Sequence, residues 1–184
     1  MERGTIPSHI QNLIRRSEDD PRPVVVMMCG IAGAGKTTLT KAILAANPAF
    51  TRLSIDAIIY ARHGLYAADY PPSSYDSHQD EADILFLAEF RRLLQLRRDL
   101  VLDRSFYARA DRDDFQREIE AAGARAVLVH LRAGEELLWR RICERSARER
   151  NADSALDISR ELLRQYVEGF EEPVGEGEIV IDVT

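Results

Sequence analysis

The sequence predicts an α/β fold, a five-stranded and mostly parallel sheet covered by helices on both faces. Three observations lead there. Strand and helix patterns alternate along most of the chain, and the strand segments are continuous apolar runs rather than alternating ones, as expected of strands buried on both faces. A glycine-rich turn also joins the first strand directly to a helical pattern.

Taken in order, a short amphipathic segment around Ile6 to Arg16 leads through the charged stretch RRSEDDPRP into a first buried strand, Val24 to Cys29. The turn Gly30 to Lys36 follows. Leu39, Ala42, Ile43 and Ala46 then recur at i, i+3, i+4 and i+7, a helical face that stops at Asn47-Pro48. FTRLSID reads as a second strand ending at Asp56, and DLVLD as a third ending at Asp103, with a helix of about Asp80 to Arg98 between them. RAVLVHL and EIVIDV supply the last two strands, and helices are expected near Ala110 to Ala122, Glu135 to Arg150 and Ile158 to Phe170. The segment from Tyr60 to Gln79 carries four tyrosines among turn residues, and reads either as a solvated loop packed by its own rings or as a flap over a substrate.

A length of 184 residues suits a single domain, residues 1–184, of which 1–23 form a helical extension and linker. The net charge of -6 argues against an extended nucleic-acid surface but leaves room for a small basic pocket. No apolar stretch approaches the roughly 20 residues that span a bilayer, and the N-terminus lacks the apolar core of a secretory signal, so a cytoplasmic location and no membrane partner are expected. Cys29 and Cys143 do not suggest a disulfide framework, and Cys29 on a buried strand reads as structural. His9, His63, His78 and His130 are scattered and do not suggest a zinc site.

The sharpest signal is local. Gly30, Gly35, Lys36 and Thr37 satisfy G-x-x-x-x-G-K-[ST], with a strand before and a helix after, which is the context a phosphate-binding loop requires. Arginine accounts for 23 of 25 basic residues, and the two lysines are Lys36 and Lys41. A lysine kept at this position fits a compact ammonium reaching phosphate. The expected cradle is Gly30, Ile31, Ala32, Gly33, Ala34, Gly35, Lys36, Thr37 and Thr38, with Lys36 on the β and γ oxygens and the Thr37 hydroxyl on magnesium. The helix beginning there adds a favourable dipole. No N-K-x-D sequence occurs, so the guanine-reading element of the common GTPases is missing.

Acidic residues at strand ends should divide the remaining classes, because ligands of open α/β sheets collect there. Asp56 could orient an acceptor hydroxyl and take its proton, or could cap the next helical turn. Asp103 closes an apolar strand and resembles the magnesium-holding end of a Walker B strand, or plays a structural capping part. Arg140, Arg141, Arg145, Arg148 and Arg150 crowd the stretch LLWRRICERSARERN. Arg141, Arg145 and Arg148 share one helical face that could neutralise charge on a transferring phosphate, and the alternative is a solvated face in an arginine-rich chain.

Together, GIAGAGKTT, LSID, LVLDRSF, RRICERSARERN and GFEEP resemble the small P-loop kinases of the zeta-toxin-like and polynucleotide-kinase-like kind, an AAA-type P-loop kinase-like group, from about Val24 to the C-terminus. The resemblance implies a three-layer P-loop NTPase fold with strand order 2-3-1-4-5. It also implies ATP and Mg2+ as cofactors, with Lys36, Asp56, Arg141 and Arg145 as catalytic residues and Thr37 and Asp103 at the metal. The polynucleotide kinases of this group carry an arginine where this chain has Ile59, and Thr-Asn where it has Arg104-Ser105. A kinase acting on a hydroxyl of a small molecule is therefore the leading expectation. A 5′-hydroxyl polynucleotide kinase and a nucleotide-binding regulatory or toxin-like protein are the alternatives.

Overall fold

The structure is a computed structural model, and it describes residues 6–147, 151–154 and 157–184. Five strands, β1 (Val24–Cys29), β2 (Thr51–Ser54), β3 (Leu100–Asp103), β4 (Arg125–Arg132) and β5 (Ile179–Asp182), form one sheet in the order β2-β3-β1-β4-β5. Every adjacent pair is parallel, and Met28 and Ser54 both lie opposite Asp103, so the carboxyl ends of the three strands on this side are level. The expected strand order and three-layer arrangement are both present.

Seven helices complete the described part of the fold: α1 (Ser8–Leu13), α2 (Lys36–Ala46), α3 (Ile55–His63), α4 (Tyr75–Gln95), α5 (Arg109–Ala121), α6 (Glu135–Ser146) and α7 (Arg160–Gly169). The central strand β1 is buried at every position, and its side chains alternate between two cores as a period of two dictates. Val24, Val26 and Met28 meet α1, α2, α6 and α7 on one face, while Val25, Met27 and Cys29 meet α4 and α5 on the other. Burial pushes the Cys29 thiol up to about 11, in keeping with a packed, unreactive side chain.

Three boundaries differ from the sequence expectation. The second strand stops at Ser54, and Asp56 lies in the first turn of α3, a helix the sequence did not announce. Ser54 caps that helix by accepting a hydrogen bond from the Ala57 amide at 3.3 Å, so the capping function proposed for Asp56 belongs to its neighbour. Second, α4 begins at Tyr75, well before Asp80, so the tyrosine-rich segment is largely helical at both ends. Third, the expected helix Glu135 to Arg150 is described as far as Ser146, and Arg148 and Arg150 lie outside the described residues.

The N-terminal segment is more than an extension, because Ile10 and Ile14 are fully buried against β1 and β4 and the Arg125 guanidinium donates to the carbonyls of Leu13 and Arg15 at 2.7 and 2.9 Å. At the other end, a turn before β5 is pinned to α5 by a buried ion pair. Arg112 Nε and Nη2 donate to the Glu176 carboxylate at 2.6 and 2.8 Å, and its third nitrogen donates to the Phe106 carbonyl at 2.9 Å.

Candidate active site

The loop between β1 and α2 passes so close to its neighbours that side chains are excluded at its turns. At Gly30 a Cβ would stand 2.6 Å from the Leu131 carbonyl oxygen, and at Gly33 it would stand 2.8 Å from that of Leu138, with φ of +136° and +86° at the two positions. Gly35 caps α2, so the unpaired amides of the first helical turn face the same space as the loop. Lys36 curls over it, its Nζ donating to the Gly30 and Ile31 carbonyls at 2.7 and 3.2 Å. Burial lowers the Lys36 pKa, while Asp103 and Asp56 act to raise it.

Asp103 is buried at the end of β3 and receives the Thr37 hydroxyl at 3.4 Å. It also receives Arg52, whose Nε and Nη2 approach one oxygen at 3.0 and 2.7 Å. Arg52 continues to Asp153 at 2.6 Å, and Lys41 meets the other oxygen of Asp153 at 2.6 Å. The α6–α7 connection is thus tied to α2 and β2 by ion pairs beside the phosphate loop. This network was invisible in the sequence because Arg52 and Asp153 are 101 positions apart and each sits in unremarkable surroundings.

Asp56, in the first turn of α3, is exposed to the open cleft. Desolvation and the neighbouring Asp103 raise its pKa, and Lys36 and Arg145 pull the other way. Arg145 lines the same cleft; burial lowers its pKa, and Asp56, Asp153 and Asp157 act to raise it. Arg141 leans on the back of the loop, with its guanidinium 3.5 Å from the Ala34 carbonyl and 3.4 Å from that of Thr184.

These residues share one cleft of about 980 Å³, lined by the loop from Ile31 to Thr38 and by Asp56, Asp103, Arg141 and Arg145. Every predicted site residue in the described chain therefore comes to it except Gly30, which lies beneath the loop. The far end is built from Tyr75, one of the tyrosines of the segment read as a loop or flap, and from Asp83, Arg104, Asp111 and Tyr166, which sequence reasoning did not select. Arg104 lies over the rings of Phe106 and Phe115 at 5.3 Å from each centroid, and reaches Asp111 at 3.3 Å and Asp83 at 3.7 Å. Burial and the Asp56 charge push the Tyr75 hydroxyl well above the usual tyrosine range, so it is a proton donor at any physiological pH. Of the four tyrosines in the Tyr60 to Gln79 segment, Tyr75 faces the cleft, Tyr66 and Tyr70 pack with Ile59 and Ala82, and Tyr60 is exposed.

A family model described as an AAA domain, AAA_33, matches residues 25–173. Among curated protein sequences none matches. Among solved structures, a candidate kinase from Chloroflexus aurantiacus superimposes with a TM-score of 0.68 at 20% identity, over 87% of this chain and 85% of that one. A gluconokinase from Sinorhizobium meliloti gives 0.58 at 24% identity over 92% and 85%, and a sugar kinase from a Janibacter species gives 0.53 at 20% identity over 88% and 86%. At these identities the likeness is one of fold. The matched span covers most of the chain and takes in the phosphate loop, the strand ends and the cleft between them, so this protein belongs to the AAA_33 family of P-loop kinase-like AAA domains.

Proposed function

We propose that the protein is an ATP- and Mg2+-dependent kinase that transfers the γ-phosphate to a hydroxyl of a small molecule in the cytoplasm. The observation that carries this reading is the placement of Asp56 in the same cleft as Lys36, Thr37, Asp103 and Arg145. The loop amides and Lys36 would hold the triphosphate, and Arg141 and Arg145 would flank it. The residues suit magnesium: the Thr37 hydroxyl and the Asp103 carboxylate already point at each other, and both are oxygen donors of the type a hard cation takes. When bound there, the ion would neutralise charge on the phosphate oxygens.

Asp56 accepts the proton of the acceptor hydroxyl as that oxygen bonds to the γ-phosphorus and the bond to the β-phosphate oxygen breaks, leaving ADP. Its raised pKa makes it a stronger base than an ordinary aspartate. Tyr75, Asp83, Arg104 and Asp111 would contact the acceptor. A mixed set of carboxylates, a guanidinium and a phenol suits a compact polyhydroxylated molecule, and the gluconokinase and sugar kinase among the structural relatives agree with that choice.

The test is transfer of labelled γ-phosphate from ATP with Mg2+ into a panel of sugars, sugar acids, nucleosides and 5′-hydroxyl oligonucleotides. Transfer into a small polyol is expected, reduced about 10²–10⁴-fold in Asp56→Asn. Transfer confined to oligonucleotides would overturn the acceptor class. ATP binding with no transfer to any acceptor would favour a regulatory nucleotide-binding protein instead.

A further inference from the structure

The two helices on the acceptor side of the cleft bring together three metal-ligating side chains outside the site described above. His63 ends α3, while His78 and Glu81 stand three residues apart and so on one face of α4. The two imidazoles stack with centroids 3.6 Å apart and planes 11° apart. His63 Nε2 lies 2.7 Å from one oxygen of Glu81, and Arg62 holds the other oxygen at 2.6 Å. One donor atom from each of the three residues lies within 4.8 Å of the others. The buried Tyr70 sets its ring edge-on to both imidazoles.

We propose that His63, His78 and Glu81 bind a divalent cation of the zinc, cobalt or nickel type, clipping α3 to α4. Two imidazoles and a carboxylate suit these ions rather than Mg2+, which prefers an all-oxygen octahedron. Metal–ligand bonds of about 2.0–2.2 Å place tetrahedral neighbours roughly 3.3 Å apart, so the three donor atoms close in on the ion and one imidazole turns out of the stack to aim its in-plane lone pair at it. All three side chains are half-buried, which leaves the fourth position to water. Arg62 orients the Glu81 carboxylate from outside, as partners of metal ligands commonly do.

The consequence reaches the cleft through the helices. α3 carries Asp56 in its first turn, seven residues or about 10 Å of helix axis before His63, and α4 carries Tyr75 and Asp83. An ion at this point fixes the angle between the helix bearing the proposed base and the helix bearing the proposed acceptor contacts, and takes no part in the chemistry itself. The metal-free alternative is an ordinary His–Glu pair with stacked rings.

Titration of Co2+ and of Zn2+ into the full chain separates the two, using a Cys143→Ser background so that the exposed thiol does not contribute. The expected result is saturable uptake of about one Co2+ per chain with visible d–d absorption, displacement by Zn2+, and a higher melting temperature with either ion. His78→Gln and Glu81→Gln should each abolish all three, whereas His9→Gln should leave them intact. Far-UV circular dichroism and metal-free melting establish that each variant is folded, and either of the two suffices if the other is not. Absence of saturable uptake, or uptake undiminished in a folded His78→Gln or Glu81→Gln protein, would overturn the proposal.

Discussion

At the scale of single residues, the cleft holds its charges in positions that are unfavourable until a ligand arrives. Lys36 spends its ammonium on two loop carbonyls, and the charge of Asp103 acts to raise the pKa of Asp56. The folded-state pKa of Asp56 lies above its ordinary value of 3.8, which fixes the sign of its effect on stability. Below that ordinary value both the folded and the unfolded chain keep the proton and nothing is lost. As pH rises the unfolded chain ionises first, so stability falls until the raised folded value is passed, and it stays lower at neutrality. Asp56→Asn removes this decline. Thermal melting of wild type and variant between pH 4 and pH 8 should show the variant gaining on wild type as pH rises, although its transfer activity collapses. A melting temperature below that of wild type at pH 8 would contradict the assignment.

At the scale of elements, two devices position the site. The first is α3. Ile55, Ile58 and Ile59 are β-branched and follow a strand, so local propensity favours continuing the strand, yet they recur at helical spacing and pack on the core while Ser54 supplies a cap. The turn into α3 carries Asp56 over the sheet edge into the cleft. The second is the buried Arg112–Glu176 pair, whose side chains are 0% and 2% exposed. Arg112 also holds the Phe106 carbonyl, in the connection that carries Arg104 and Tyr107 to the cleft. Glu176→Ala leaves a guanidinium buried without its carboxylate, which costs about 3–5 kcal/mol. For a chain of this length that corresponds to a fall of about 6–20 °C in Tm. Differential scanning calorimetry checks it, and a fall of under about 2 °C would show that the pair is not sustaining the turn.

At the scale of the whole molecule, the charge of -6 is accompanied by a cleft in which cations and carboxylates are interleaved. Lys36, Arg141 and Arg145 converge from the loop and α6 on one space, while the carboxylates of Asp83 and Asp111 collect at its other end. Mg2+ and ATP at about 100 times the dissociation constant should stabilise the fold by about 2.7 kcal/mol. That is an increase in Tm of about 5–11 °C. The shift should disappear in Lys36→Ala, and a shift that survived this change would place the nucleotide elsewhere. Among the described residues, no helix is long and apolar enough to cross a membrane.

The sequence by itself determined the architecture and the phosphate end of the site. Continuous apolar strands require a sheet covered on both faces, and the phosphate loop is a contiguous string whose glycines, lysine and threonine act through their own backbone and neighbours. Asp56 and Asp103 were also legible, because the ends of parallel strands are where ligands gather, although the prediction placed Asp56 on a strand and the structure puts it on a helix. Only the tertiary structure decided the rest. Arg52 joined to Asp103 and Asp153, Arg104 set among Asp83, Asp111 and two phenyl rings, and His63 stacked on His78 all depend on residues brought together by packing. Four histidines scattered along the chain carry no metal signature, yet the α3–α4 pair brings two of them face to face beside a carboxylate. A sequence pattern records contacts between near neighbours on a strand, helix or loop, whereas charge pairing and ligand geometry between distant elements are set by how those elements pack.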